Sequence, residues 1–197
     1  MLKYIYTIIL SMAVFGASHA QYGQNNFYAG IKGGLNYSSL NTKVNSNTKT
    51  GFHGGGFATL KLSNVAIQSE ILFSQQGAQL TLDGQDIDAN YSYLNIPVLL
   101  KLYVAGGFNI HMGPQFGYIR SANRVFKGDK QDYKERLKES EISLAMGAGW
   151  DLPMGLTIEG RYNLGLTEIY KYPSQSTAAK NQVFQISLGY RLLTVLE

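Results

Sequence analysis

Residues 27–40 read FYAGIKGGLNYSSL, and how this stretch is read decides the fold. Taken two residues at a time it splits into two sets. Phe27, Ala29, Ile31, Gly33, Leu35 and Tyr37 are mostly apolar, with aromatics at both ends. Tyr28, Gly30, Lys32, Gly34, Asn36 and Ser38 are small or polar, with a charge in the middle. A period of two belongs to a β-strand, whose side chains point alternately to opposite faces. The glycines then need a reason, because glycine weakens a strand unless something must approach its backbone closely.

The same alternation recurs down the chain. Phe52 to Leu60, Val65 to Phe73, Leu94 to Leu102 and Phe108 to Tyr118 each place apolar residues on every second position. Ile142 to Trp150, Leu156 to Tyr162 and Phe184 to Leu192 do the same. With the opening stretch this predicts eight strands of about ten residues, the length a tilted strand needs to cross a hydrocarbon layer. Connections alternate between tight (near Ser63-Asn64, Ala105-Gly106 and Pro153-Met154) and long (residues 39–50, 75–90, 119–140 and 165–181). Short turns at one end and long loops at the other are the habit of an up-and-down membrane barrel. Pro97 and Pro114 fall inside strands, where each removes a ladder donor, and predict bulges.

Alternation by itself fits a soluble barrel around an apolar cavity as well. Three features favour lipid outside. The polar face is rich in Gly, Ala, Ser and Asn, which suits the filled interior of an eight-stranded tube, where glycines are expected to make room for Tyr28, Phe57 and the long charged residues. The apolar-face aromatics Phe27, Tyr37, Phe52, Phe73, Phe108, Tyr118, Trp150, Phe184 and Tyr190 gather near strand ends, as in the girdles at membrane interfaces. The third is the N-terminus. MLKYIYTIILSMAVFGASHAQ has one lysine, an apolar stretch and Ser18-His19-Ala20, the pattern of a secretory signal peptide. The expected organisation is a signal peptide over residues 1–20 and an outer-membrane β-barrel domain over 21–197, its termini periplasmic. His19 would leave with the signal.

The bulk numbers remove other classes. The chain has 197 residues, 22 Gly, 14 Tyr, no Cys and a formal charge of +4. Without cysteine there are no disulfides, thiolate metal sites or cysteine nucleophiles. The charge is too small, and too little organised, for nucleic acid. Mean hydropathy is -0.11, which excludes a helical membrane protein but not a barrel, whose alternating strands average out.

Placing the polar face inward puts Lys32, Lys61, Glu70, Lys101, Glu159, Arg161 and Arg191 in the lumen, five cations and two anions. Charges in a narrow interior need partners, since desolvation costs several kcal/mol per ion. Two readings follow: a salt-bridged plug that holds the tube shut, or a narrow, anion-leaning passage. Glu70 and Glu159 are each expected to meet at least one of Lys101, Arg161 and Arg191. His53 and His111 lie on different strands without metal-ligand spacing, so neither a metal nor a cofactor is expected. An enzymatic reading would pair His53 with Ser38 or Ser39 near the outer rim, as in a lipid-modifying hydrolase, but no third residue presents itself to orient the base. The segment RSANRVFKGDKQDYKERLKES, residues 120–140, carries seven Lys/Arg and four Asp/Glu, net +3. Its basic patch of Arg120, Arg124, Lys127 and Lys130 points to outer-membrane lipid and lipopolysaccharide, or another envelope protein, as partner. DYKERLKES is a candidate short helix.

With the strands placed, the chain resembles the PorT-like family of small outer-membrane β-barrel proteins typical of Bacteroidota. The matching pieces are GIKGGLNYS, GFHGGGFATLKLSN, IQSEILFSQQGAQL, YLNIPVLLKLY, GPQFGY and ISLGYRL, in that order across the region after the signal. The resemblance implies an eight-stranded antiparallel up-and-down outer-membrane barrel without catalytic machinery. It leaves a structural or surface-interaction role, or accessory service to a transport assembly, as the expected work, and a narrow porin as the alternative.

Overall fold

The computed structural model describes residues 25–41, 46–82, 85–126, 129–132, 134–171 and 179–196. The expected signal peptide lies outside the described residues. Among the described residues nine strands run in chain order: β1 (Asn25–Asn41), β2 (Ser46–Leu62), β3 (Val65–Leu82), β4 (Gln85–Ala105), β5 (Phe108–Phe126), β6 (Asp129–Asp132), β7 (Ser140–Asp151), β8 (Leu156–Gly165) and β9 (Lys180–Leu196). All pair antiparallel. The sheet runs β4-β3-β2-β1-β9-β8-β7-β5, and a further β4–β5 pairing closes it. β6 adds only to the distal end of β5, so eight strands make the barrel wall. Closure leaves the eight-stranded wall no open edge, the condition for a sheet to survive in lipid, where an unpaired backbone group costs several kcal/mol.

The orientation is as the alternation requires. Phe73 is 62% exposed, whereas Glu70, three residues earlier on the same strand, is 1% exposed. Along β1, Ile31 and Leu35 look outward while Tyr28, Lys32, Asn36 and Ser38 are buried. Outward aromatics become cross-strand neighbours. Tyr162, Phe184 and Tyr37 follow one another across β8, β9 and β1, and Phe108 pairs with Trp150 at the tight-turn end. There the Trp150 indole donates to Gly106 O at 2.8 Å. The β4–β5 turn places Gly106 and Gly107 at φ 54° and 84°. Two successive positive φ angles make the hairpin turn whose twist matches that of its strands.

Three expectations need correction. First, three of the four long connections are largely sheet, the β8–β9 connection being the exception. β3 and β4 stay paired out to Leu82 and Gln85, and β1 with β2 out to Ser38 and Lys49. Alternation weakens there, which is why those segments read as loops. The candidate helix shrinks to one 3-10 turn, Lys134–Arg136.

Second, Pro97 and Pro114 cause no bulge. The β3–β4 and β4–β5 registers are the same on either side of both, and the ladders merely skip the adjoining pairs. The extra residues sit at Val104 in β4, Arg120 in β5, Leu192 in β9 and, in β2, between Thr48 and His53. Losing an N–H removes a ladder bond without adding a residue, and only an added residue shifts register.

Third, glycine clearance is mainly a backbone matter. A Cβ on Gly34 would lie 1.9 Å from Ile186 O of the neighbouring strand, so this position excludes every other residue. Gly33, on the outward face, has no such neighbour: its nearest contact would be His53 O at 3.4 Å.

Candidate functional site

The inward side chains stack in levels along the barrel axis. The middle level is ionic. Arg161 of β8 grips Glu70 of β3 with two hydrogen bonds, Nη1 to Oε2 at 2.9 Å and Nη2 to Oε1 at 2.7 Å. The same Nη2 reaches Glu159 Oε2 at 3.0 Å. Lys32 of β1 contacts Glu70 Oε1 at 3.1 Å and also bonds Glu159. Lys101 of β4 lies 3.5 Å from Glu159 Oε1 and 3.3 Å from Asp151 Oδ2. Gln68 ties the level together, donating to Glu70 at 2.6 Å while accepting from Lys101 at 3.1 Å and Thr59 at 2.9 Å. All of these groups are buried.

Three cations thus meet three carboxylates across five strands. Such a cluster persists only because each ion is both paired and hydrogen-bonded, since deleting one partner strands a desolvated charge. The strand period places the ions inside; the register decides which strands face one another at that height.

Lys61 and Arg191, also assigned to the lumen from the sequence, stand apart from this cluster. Lys61 Nζ sits 4.0 Å from the ring centroid of Tyr103. The Arg191 guanidinium lies over Tyr28 at 5.4 Å and donates to Leu152 O. Two buried acids were missing from the sequence-level ion set. Asp151 is the next inward step after Gly149 on β7, so extending the alternation by one residue would have found it. Glu141, on the inward face of the same strand, accepts from the Tyr93 hydroxyl at 3.1 Å.

Above the ions lies a neutral polar level. The Asn36 amide nitrogen donates to Gln75 O, Ser74 Oγ and Phe52 O at 2.7, 3.0 and 3.2 Å. Its oxygen therefore accepts, from Gln185 at 2.8 Å and from His53 Nδ1 at 2.8 Å. That puts the His53 proton on Nδ1 and leaves Nε2 to accept from Ser187 Oγ, 2.8 Å away. The order is that of a nucleophile, a base and an orienting amide. It is not the pairing the sequence offered, for Ser38 is buried elsewhere and bonds Gly77 and Lys49 O. Ser187, His53 and Asn36 are all buried, and Ser187 lines neither the recess beside Lys61 and Arg191 nor the one beside Ile31 and Tyr190. His111 approaches Asn109 Oδ1 at 3.3 Å.

At the long-loop end the lumen turns apolar. Leu40, Ala78, Tyr91, Tyr93, Ile119 and Ala122 point inward from four strands and pack with Leu137 and Ile169 from the connections. The connections are held together by Lys138 N to Ile169 O at 2.8 Å and Lys171 N to Arg136 O at 3.0 Å. Of the basic patch, Arg120 is exposed at the β5 bulge. Arg124 and Lys130 take backbone places in the β5–β6 pairing, opposite Gln131 and Val125. Lys127 lies outside the described residues.

The family model of the outer membrane protein beta-barrel domain matches residues 19–171. No curated protein matches the chain in sequence. Among solved structures, the Neisserial surface protein A (NspA) superposes with a TM-score of 0.57 at 6% identity, covering 83% of this chain and 97% of that one. Ail, the attachment invasion locus protein of Yersinia pestis, gives 0.49 at 16% identity, over 87% of this chain and all (100%) of its own. At such identities the likeness concerns the fold alone.

Proposed function

We propose, from the premise that this chain belongs to the outer membrane protein β-barrel domain family, that it serves as a closed, non-enzymatic barrel of the PorT-like kind. Its work is structural, at the cell surface, or accessory to a transport assembly. In this reading the signal peptide exports the chain, the tight turns and both termini face the periplasm, and the hairpins on the far side meet lipopolysaccharide or another envelope protein.

The observation that carries the proposal is the double closure of the lumen. A solute entering from the hairpin side would have to displace the apolar cluster around Leu137 and Ile169. It would then have to break six ion pairs among Lys32, Lys101, Arg161, Glu70, Glu159 and Asp151. The balance of that cluster, three cations to three acids, also removes the charge surplus that favoured an anion passage at this level. Ser187, the best-placed hydroxyl, is sealed in the same interior.

Planar-bilayer recording with purified protein tests this directly, and no unitary conductance is expected. Steady anion-selective steps would overturn closure and install the narrow porin in its place. Phospholipase and deacylase assays are expected to stay at background, and turnover abolished by Ser187→Ala would sink the non-enzymatic reading. Cross-linking on intact cells from the hairpin side, followed by purification, is the route to a partner.

A further inference from the structure

The cation excess expected of the lumen has a location. Among the described residues, neither Lys61 nor Arg191 forms an ion pair with a carboxylate. They flank a recess of about 120 Å³ at the tight-turn end of the barrel, lined also by Tyr28, Tyr103, Asp151 and Gly107.

The floor of this recess is a hydrogen-bonded knot. The Tyr28 and Tyr103 hydroxyls are 2.5 Å apart, and both reach Asp151 Oδ2, at 3.1 and 2.5 Å. Asp151 also accepts from Lys101, so the one acid among the described lining residues is already matched. The two surplus cations lie over the two tyrosine faces. An aromatic face attracts a cation through its quadrupole and does not occupy the N–H donors as an acceptor would. Arg191 spends one N–H on Leu152 O, and its Nε, buried, has no acceptor.

Positioned charge with donors to spare is what an oxyanion needs, because it offers several lone pairs to charge-assisted bonds. The volume bounds the ligand. An engineered cavity of about 150 Å³ holds one benzene, so this recess takes a single phosphate-sized group and leaves the rest of a larger molecule outside.

We infer that the tight-turn mouth is a binding site for a phosphate group, held between Lys61 and Arg191 above the Tyr28–Tyr103–Asp151 floor. The group is either free phosphate or the headgroup of a phospholipid in the adjoining leaflet. The inference rests on the barrel reading only for which compartment the mouth faces.

The test uses the purified protein in a phosphate-free maltoside detergent. Sodium phosphate is titrated at constant ionic strength, with sodium chloride as control, and the amide NMR signals of Gly107 and Asp151 are followed. Saturable shifts are expected with phosphate and not with chloride. Lys61→Gln and Arg191→Gln should each weaken them about tenfold, one charge-assisted bond's worth. Lys61→Arg should retain them.

If vesicles of phosphatidylglycerol move the same signals and abolish the phosphate response, a headgroup is the ligand. If phosphate still titrates in those vesicles, the free anion is. Equal responses to phosphate and chloride, or shifts that survive in the Lys61→Gln/Arg191→Gln double variant, would overturn the site. Should a variant fail to fold, phosphate-over-chloride selectivity in the native chain still decides. A barrel that conducts yet binds phosphate at Lys61 and Arg191 would sink the closed-barrel reading and leave this site standing.

Discussion

Arg161 shows how one buried side chain can hold several strands. It bonds both oxygens of Glu70 and one of Glu159, and Lys32 meets the same two acids from the other side. Arg161→Met should cost about 3–5 kcal/mol, the usual result of stranding a buried charge. Urea unfolding in lipid vesicles reads this out. Removing Glu70 as well, in Arg161→Met/Glu70→Leu, leaves Lys32 and Lys101 against Glu159 and Asp151, two charges of each sign. Most of the loss should then return; a double variant no better than the single would mean that packing, not charge balance, governs the level. The glycines give a second contrast. Gly34→Ala drives a methyl into Ile186 O and should abolish the heat-modifiable folded band. At Gly160 a Cβ would meet nothing within 4 Å. There Gly160→Ala should be neutral, or stabilising by about 0.5–1 kcal/mol, since glycine in a strand interior is the weaker residue.

At the scale of the strand, one face answers to lipid and the other to the ion cluster. β9 illustrates both, with Ile186, Leu188 and Tyr190 exposed outward while Gln185 and Ser187 are buried inward. Leu188→Arg, in the middle of the lipid face, is expected to cost about 2–4 kcal/mol, and Leu193→Arg, close to the tight-turn end, about 0–1 kcal/mol. Refolding equilibria in thin bilayers measure both. Equal costs at the two positions would contradict a depth-dependent apolar environment, and with it the placement of this strand in a membrane. The alternation that identifies β9 also carries the face assignment of the other strands, because a half-buried strand cannot slip by one residue without turning its whole apolar set inward.

For the molecule as a whole, closure is the governing property. Eight wall strands joined through the β4–β5 pairing leave no edge, so the barrel should resist detergent and migrate differently on gels before and after boiling, and it should fractionate with the outer membrane. Much of this was legible beforehand. The two-residue period in FYAGIKGGLNYSSL and its seven repetitions determine the number of wall strands, their facing and most of the lumen charges, Asp151 and Glu141 excepted, because each depends only on local geometry and on which side chains lipid accepts. Which charges meet does not follow from any one strand. Arg161 finds Glu70 at a sequence separation of 91 because barrel register sets them at one height, and the same register sends Lys61 and Arg191 to the mouth and joins His53 to Ser187 rather than to Ser38. The bulges at Val104, Arg120 and Leu192 likewise arise where paired strands must twist and close, a demand of the completed tube that no single strand records.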